Sequence, residues 1–263
     1  MKKVSIVSGW SNPGGSTTSF INLCNLFNER GIDCTFYGPH MWHLDQCKSG
    51  LLNEGDFNEE SVLIVHFMNL DRNLKVKRVI LSCHEKDIFP LKNIPHDHFD
   101  KIQFITKEQK EWHGIDHPSV IIPNVYDNLT SKWPKEETKA AGVIGTVDPN
   151  KNTHVSIQRA LDDGYKEVHL YGQIVDNDYF DGQIKPLLSE SVIFHGHERD
   201  KQKMYDSIDA AYLSSNSEVA PLVKGECALT STKFMGNENT QGGEDTIVGN
   251  DKIFDMWMEC LEF

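Results

Sequence analysis

The chain has 263 residues, of which 38% are hydrophobic and 25% charged, and its mean hydropathy is −0.45. This composition is ordinary for a globular protein, and no apolar run approaches the roughly 18 residues that a membrane span needs. The formal net charge of −13 disfavours binding to bulk nucleic acid, because proteins that do so usually carry a basic surplus.

The cysteines are scattered and include no C-x-x-C pair; they stand at positions 24, 34, 47, 83, 227 and 260. Single cysteines of this kind fit buried thiols in a reducing cytoplasm better than a disulfide framework, so we expect a cytoplasmic protein. One stretch, DRNLKVKR (residues 71–78), is locally basic. A solvated surface turn accounts for it about four times as well as weak peripheral membrane contact or acceptor docking.

The first half of the chain predicts alternating strands and helices. KVSIVSG (3–9) is an apolar, β-branched strand that runs into the turn WSNPGGS, and residues 17–31 follow helical spacing up to Gly31. Further short apolar runs follow, namely IDCTFYG, SVLIVHF, RVILSCH, KIQFITK and SVIIPNV. Because they do not alternate between apolar and polar residues, they favour strands buried on both faces of a parallel sheet.

A polar stretch, YDNLTSKWPKEETKA (126–140), contains Pro134, lacks periodicity and predicts a domain boundary. The pattern then restarts, with strands AAGVIGTV, EVHLYGQ, SVIFHGH and DAAYLSSN, helices NTHVSIQRALDDG and RDKQKMYDSI, and a helical tail. We expect an N-terminal domain over 1–129, a linker over 130–139, a C-terminal domain over 140–249 and a C-terminal helix over 250–263. Doubly wound halves predict a ligand in the cleft between them, outside the carboxyl ends of the strands.

The stretch SNSEVAPLVKGECAL places Glu218 and Glu226 on either side of Pro221. Because proline suits the first turn of a helix, we predict a helix that begins near Pro221, with Glu218 in the loop before it and Glu226 inside it. The helix N-terminus suits phosphate, and carboxylates accept hydrogen bonds from sugar hydroxyls, so the layout fits a nucleotide sugar. In an acidic protein two glutamates often fall at this separation by chance. The spacing alone therefore gives that interpretation only about one chance in five of being right.

The pair Glu218-x7-Glu226 resembles the E-x7-E signature of retaining GT-B glycosyltransferases of family 4, and the resemblance covers most of the chain. Residues 7–38 are similar to the family's first strand, Gly-Gly loop and helix. VILSCHEKD is similar to its strand ending in histidine, and VIIPNVYD to its inter-domain IPNGVD. GVIGTVDPNKNTHVSIQRAL resembles its first C-domain strand and phosphate-lysine loop, and VIFHGHERDKQKMYDSIDAAYLSS the segment before the signature.

This resemblance implies an α/β protein of GT-B architecture: two Rossmann-like doubly wound domains facing across a cleft, with a C-terminal helix. The N-terminal domain would lie on the acceptor side, and the C-terminal domain would bind the nucleotide sugar. Such an enzyme would transfer a hexose, with its anomeric configuration retained, to a glycan, a lipid-linked glycan or another small acceptor. The resemblance implies that it would need no metal and no cofactor, because the nucleotide-diphosphate sugar would be a co-substrate.

The resemblance also implies roles for individual residues. Glu226 would bind ribose hydroxyls, Glu218 would contact donor-sugar hydroxyls, Lys151 would neutralise the diphosphate, and His84 would face the donor sugar near its reacting carbon. The implied catalytic residues are His84, Lys151 and Glu218. The implied donor-binding residues are Gly14, Gly15, Ser16, Gly145, Thr146, Lys151, Tyr171, Gly172, Glu218, Val219, Ala220 and Glu226.

The sequence departs from the family where Thr146 replaces the arginine that usually follows the first C-domain glycine, and where Val125 replaces the glycine of IPNGVD. Two alternatives stay open, and Thr146 together with the short N-terminal domain motivates the second of them. One is a nucleotide-sugar epimerase on the same fold, and the other is a protein that binds a nucleotide or glycan without turnover.

Histidine-containing and D-x-D stretches raise the alternative of a metal site. PHDHF, FHGHE and VDND (175–178) are each better explained as exposed loops or turns than as metal ligands. His66 ends a predicted strand as His84 does, and for each a cleft-facing role and a buried structural role are about equally favoured.

Overall fold

The computed structural model describes residues 2–68, 74–86, 91–131, 137–240 and 246–263. The chain divides into two compact units, Met1–Val125 with Gly243–Phe263, and Tyr126–Gly242. Residues 126–129, which the sequence assigned to the first domain, therefore group with the second unit, and the C-terminal helix groups with the first. Pro134 and part of the basic stretch 71–78 lie outside the described residues.

The first unit contains a parallel sheet with the order β3-β2-β1-β4-β5-β6-β7. Val4 of the first strand pairs with Cys34 on one side and with Val62 on the other, which places that strand in the interior of the sheet. The strands are β1 (Lys3–Ser8), β2 (Asp33–Gly38), β3 (Ser49–Leu51), β4 (Val62–His66), β5 (Arg78–Cys83), β6 (Lys101–Phe104) and β7 (Ser119–Ile121).

Two helices of this unit follow strands directly in the chain, α1 (Gly15–Glu29) after β1 and α2 (Lys107–His113) after β6. On α1 the residues with helical spacing, Phe20, Leu23 and Phe27, are all buried in the core with the β-branched residues of the sheet. Gly31 ends the segment with φ of +79°, a left-handed conformation that glycine adopts without strain.

The second unit contains a parallel sheet with the order β10-β9-β8-β11-β12. Its strands are β8 (Ala140–Ile144), β9 (Glu167–Tyr171), β10 (Val192–Gly196), β11 (Ala210–Tyr212) and β12 (Lys233–Met235). Its helices are α3 (Thr153–Asp162), α4 (Asn177–Tyr179), α5 (Lys201–Asp206) and α6 (Leu222–Thr230). Ile157 of α3 and Leu170 of β9 lie in one buried cluster with Tyr212, so this unit has its own core.

The chain ends in α7 (Asn250–Leu261), which packs in the core of the first unit. Ile253 and Trp257 are buried, and the Trp257 ring meets the Phe27 ring edge-on at 6.3 Å between centroids. Single 3₁₀ turns occur at Met41–His43, Leu52–Glu54, Leu91–Asn93, His96–His98, Lys185–Leu187 and Glu238–Thr240, and a π-helical turn at Phe180–Ile184. Within the described ranges, no helix is both long and apolar enough to cross a membrane.

Both sheets have one topological switch point, where the chain reverses the direction in which it adds strands. It lies between β1 and β4 in the first unit and between β8 and β11 in the second. In open parallel sheets, ligands bind outside the carboxyl ends of the strands at this point, because the following loops diverge there and leave a crevice. The fold therefore directs attention to the loops after these four strands.

Candidate functional site

An ion pair spans the switch point of the second unit. Lys151, in the loop after β8, places its Nζ atom 2.5 Å from Oε1 of Glu218, in the loop after β11. Their side chains are 26% and 13% exposed, so the pair is partly shielded and still reachable from solvent. A cation and a hydrogen-bond acceptor thus stand together where this kind of sheet binds its ligand.

Short hydrogen bonds fix the loop that carries Lys151. The Asp148 carboxylate accepts a bond from the Thr146 hydroxyl at 2.6 Å and another from the Lys151 backbone N–H at 3.0 Å. The Asn216 backbone N–H, from the loop that carries Glu218, donates to the Asn150 carbonyl at 2.8 Å. Thr146, where the resemblance expects arginine, therefore uses its hydroxyl to hold an acidic side chain.

Two glycines bring the ends of β8 and β9 together. A Cβ atom on Gly172 would lie 1.7 Å from the Gly145 carbonyl oxygen, which no real contact allows. Gly145 itself has φ of +146°, which favours glycine. Beside them the Tyr171 ring stacks on His195, with centroids 4.7 Å apart and planes 13° apart. The backbone on this side of the switch point therefore depends on both glycines.

Glu226 lies inside α6, which begins at Leu222 with Pro221 at its N-cap, as the proline predicts. The residue is 2% exposed, and its two carboxylate oxygens accept hydrogen bonds from Lys201 Nζ at 2.6 Å and from the Tyr205 hydroxyl at 2.7 Å. Lys201 also forms an ion pair with Asp127. Both carboxylate oxygens of Glu226, the residue predicted to bind ribose, thus have protein partners in this conformation.

Lys201 is charged although it is largely enclosed. Burial tends to lower the pKa of Lys201, but the carboxylates of Glu226 and Asp127 raise that pKa above its ordinary value. The Lys201 ammonium group is therefore the shared partner of the Glu226 and Asp127 side chains.

The loop before α1 leaves its N-terminus approachable. A Cβ atom on Gly14 or Gly15 would meet no atom within 4 Å, and Ser16 is half-buried. The first turn of α1 carries no acidic side chain that would occupy its N–H groups. This surface could accept an anionic or hydroxylic group, as the resemblance implies for these residues.

A polar network lies at the switch point of the first unit. Ser8 and His66 are register partners at the ends of β1 and β4, and Ser8 Oγ lies 2.8 Å from His66 Nδ1. His66 Nε2 lies 2.9 Å from Oε1 of Glu85, in the loop after β5. His66 is only 1% exposed, so of the two roles considered for it, the buried structural one describes its position.

His84 follows β5 and is half-buried beside this network. Its ring lies 4.6 Å from the Phe20 ring and its Nε2 lies 3.2 Å from Ser82 Oγ. Burial and the neighbouring His66 lower the pKa of His84 to about 3, against the opposing effect of Glu85. At neutral pH the imidazole is uncharged, so it can exchange hydrogen bonds with a substrate without adding a cation.

The predicted residues fall into two sets, one in each unit. The second unit contains those around the Lys151–Glu218 pair and Glu226, which is a buried residue of α6. The first unit contains those at α1 and after β5. The first set is Gly145, Thr146, Lys151, Tyr171, Gly172, Glu218, Val219, Ala220 and Glu226, and the second is Gly14, Gly15, Ser16 and His84.

Several residues of these networks were not predicted. Ser8 and Glu85 stand at the ends of predicted strands, which is the position where such side chains could have been sought. Lys201 and Tyr205 are four residues apart on α5 and so share a helix face, but nothing in the sequence indicates that this face meets Glu226.

The stretches weighed as metal ligands have other partners. The Asp176 carboxylate accepts a hydrogen bond from the Tyr179 backbone N–H at 2.8 Å and so caps a turn. His195 Nε2 lies 2.8 Å from His169 Nδ1, and His96 Nε2 lies 2.6 Å from the Leu91 carbonyl oxygen. In the part of the chain that the structure describes, no group of three or more His, Cys, Asp or Glu side chains could hold a metal ion.

No protein-family model and no curated protein sequence matches the chain. Several solved structures do match the chain. A TarM variant from S. aureus in complex with fondaparinux, α-GlcNAc-glycerol and UDP matches with a TM-score of 0.71 at 12% identity, over 100% of this chain and 92% of that one. HepE from Anabaena in complex with UDP-glucose matches with a TM-score of 0.67 at 14% identity, over 100% and 90%.

WaaG, a glycosyltransferase involved in lipopolysaccharide biosynthesis, matches with a TM-score of 0.56 at 13% identity, over 99% of this chain and 90% of that one. At these identities the likeness concerns the fold rather than the substrate. Two units with parallel sheets, together with similarity over the whole chain to such structures, show that this protein has the GT-B fold.

Proposed function

We propose that this protein is a retaining glycosyltransferase, which moves a sugar from a nucleotide-diphosphate sugar to a hydroxyl of a glycan, a lipid-linked glycan or another small acceptor. The observation that carries the proposal is the Lys151–Glu218 pair at the switch point of the second unit. It combines a cation for a diphosphate with a carboxylate for sugar hydroxyls. Two of the similar structures are complexes with UDP and with UDP-glucose, which supports a donor of this class.

In the proposed reaction Lys151 stabilises the charge that develops on the departing diphosphate. An ammonium group fixed beside the leaving oxygen stabilises that oxygen more strongly in the transition state than in the ground state, so it lowers the activation barrier. Lys151 is bound to Glu218 in the structure described. We infer that the donor exchanges this pair for two new ones, phosphate with Lys151 and a sugar hydroxyl with Glu218.

Glu226 is the proposed ligand of the ribose hydroxyls, and its surroundings define what this role requires. Each oxygen already accepts one hydrogen bond, from Lys201 or from Tyr205. A carboxylate has about four lone-pair directions, so ribose hydroxyls could add to these bonds without breaking them, provided that the helix end opens to admit them. Tyr171, Gly145 and Gly172 form the neighbouring wall in this proposal.

The first unit would serve the acceptor and the reacting carbon. The open approach to Gly14 and Gly15 suits a phosphate or a hydroxylic acceptor, and neutral His84 offers a hydrogen bond to the donor sugar. Because His84 has so low a pKa, it is a poor base. We therefore propose that the departing phosphate takes the acceptor proton, which fits retention of configuration and requires no metal.

One observation favours a second candidate function. The Thr146 hydroxyl binds the Asp148 carboxylate at the position where the resemblance expects a phosphate-binding arginine. A site with one cation fewer and an acid nearby binds a diphosphate less strongly in its transition state. A protein that binds a nucleotide or a glycan without turnover is therefore the alternative. An epimerase acting on the donor alone is a third candidate that product analysis separates.

The experiment begins with a thermal-shift screen of UDP, GDP, ADP, CMP and TDP sugars, since a ligand that binds only the folded state raises Tm. The donor that raises Tm is then incubated with the protein, alone and with a panel of glycan and glycolipid acceptors. We expect a glycosylated acceptor with the donor's anomeric configuration. Isomerised donor without acceptor would show an epimerase, and binding with no product from any acceptor would show the non-catalytic alternative.

A further inference from the structure

The hydrogen bonds around His84 determine which ring nitrogen carries its proton. They begin at Gln103 of β6, whose amide Nε2 donates to the Ile122 carbonyl oxygen at 2.6 Å. This bond fixes the amide orientation, because the reversed amide would set two acceptor oxygens against each other. Gln103 Oε1 therefore faces Ser82 Oγ, 2.5 Å away.

Ser82 has one hydroxyl proton, and Gln103 Oε1 can only accept it. Ser82 Oγ then has lone pairs but no proton for His84 Nε2, which lies 3.2 Å away. The ring must supply that proton, so His84 is protonated on Nε2 and has a bare lone pair on Nδ1. Ser82 and Gln103 are both buried, so water does not compete for these bonds.

We propose that Ser82 and Gln103 are positioning residues that hold His84 as its Nε2–H tautomer and thereby present Nδ1 as a neutral acceptor for a substrate hydroxyl. Among the residues that the structure describes, none donates a hydrogen bond to His84 Nδ1. The identity of the hydroxyl as one of a sugar rests on the proposed function. The assignment of the Nε2–H tautomer does not rest on the proposed function.

The neighbouring histidine shows why His84 is the one available for a ligand. Ser8 Oγ donates to the Trp10 carbonyl oxygen, so it can only accept from His66 Nδ1, and His66 Nε2 faces Glu85 Oε1. Both nitrogens of His66 are used inside the protein. The same assignment rules out Ser8, His66 and Glu85 as a nucleophilic triad, because the serine proton points away from the histidine.

The lowered pKa of His84 agrees with this arrangement. A second ring proton on Nδ1 would create a charge that is half-buried and next to His66, and both conditions disfavour it. Glu85 opposes this effect, but its carboxylate is already bound to His66 Nε2 and to the His84 backbone N–H at 3.2 Å. Nδ1 therefore remains an acceptor across the neutral range.

The test is a long-range ¹H–¹⁵N correlation spectrum of ligand-free protein labelled with ¹⁵N-histidine, with His84 assigned by its disappearance in His84→Gln. We expect one pyrrole-type nitrogen at Nε2 and one pyridine-type nitrogen at Nδ1. In Ser82→Ala, which removes the acceptor, the Nδ1–H form should become populated. Ser5→Ala removes another buried strand serine, on β1, and should leave the signature unchanged.

A proton on Nδ1 in the wild type, or the same tautomer in Ser82→Ala as in the wild type, overturns the proposal. A folded Ser82→Ala should also transfer sugar about 10- to 100-fold more slowly with the Kd for UDP unchanged, while Ser5→Ala stays within about twofold. Transfer by Ser82→Ala at the wild-type rate would show that the tautomer does not matter to the reaction. The predicted tautomer in a wild type that transfers nothing would refute the proposed function and leave the positioning of His84 intact.

Discussion

Lys201 Nζ lies 2.6 Å from Oε1 of Glu226, and this bond joins α5 to the middle of α6 in the second unit. Tyr205 holds the other carboxylate oxygen from the same face of α5. The glutamate that the E-x7-E resemblance assigns to ribose binding is therefore also a structural residue. Its substitution should affect folding as well as ligand binding.

Replacing Glu226 by alanine should lower the free energy of unfolding by about 3 kcal/mol, because it leaves the Tyr205 hydroxyl and part of the Lys201 charge without a buried partner. Lys201 keeps its ion pair with Asp127, so the loss of unfolding free energy should be smaller than for a buried charge with no partner. Urea unfolding followed by circular dichroism measures it. Glu259→Ala, on the exposed face of α7, is the control and should change stability by less than about 0.5 kcal/mol. Equal stabilities of the two variants would refute the structural role.

Gly172→Ala should distort the end of β9, since its Cβ atom would lie 1.7 Å from the Gly145 carbonyl oxygen. We expect a loss of about 2–3 kcal/mol in unfolding free energy from the forced backbone shift, together with weaker donor binding in the thermal-shift assay. Gly182→Ala is the matched control, because a Cβ atom there would meet nothing within 4 Å. A Gly172→Ala protein with wild-type Tm and donor binding would contradict the close approach.

The lowered pKa of His84 predicts a pH dependence of stability. The folded state resists protonation of this ring until about pH 3, whereas the unfolded state takes up the proton below an ordinary value of about 6.5. The unfolded state therefore binds more protons as the pH falls, and His84 contributes stability at neutral pH that is lost on acidification. Between about pH 6.5 and pH 4.5 the wild type should lose more stability than His84→Gln.

The groups that face His84 limit how this measurement is interpreted. Glu85 has a lowered pKa because its hydrogen bond and charge interaction with His66 outweigh the effect of burial, so its own contribution is lost at a lower pH than that of His84. Parallel stability curves for the wild type and His84→Gln over the upper range would show that the ring is not held neutral.

The sequence predicted the elements with a clear hydrophobic pattern. The start of α6 follows from Pro221, and the parallel strands follow from continuous apolar runs. Strands β3 (SGL) and β12 (KFM) do not lie in a longer apolar run, unlike the equally short β7 and β11, so no pattern marked them. Helix α2 has little apolar periodicity, yet its ends were marked by Thr106, which accepts the Gln109 N–H at 3.0 Å, and by Gly114.

The site was less predictable because its contacts join distant parts of the chain. Lys151 and Glu218 meet only because β8 and β11 are neighbours at the switch point, a relation that strand order decides and no local pattern states. The resemblance named both residues without indicating that they bind each other. It gave no sign that Glu226 is held by Lys201, since that contact depends on how α5 packs against α6.

The most direct test of the account is the effect of Lys151→Ala and Glu218→Gln on sugar transfer from the donor that raises Tm. Each should lower kcat by about 10²- to 10³-fold, because each removes one of the two contacts proposed for the donor, Lys151 with the diphosphate or Glu218 with a sugar hydroxyl. Lys185→Ala, which breaks the exposed Lys185–Asp181 pair, should transfer at the wild-type rate. Transfer by Lys151→Ala and Glu218→Gln at the rate of Lys185→Ala would contradict the central claim.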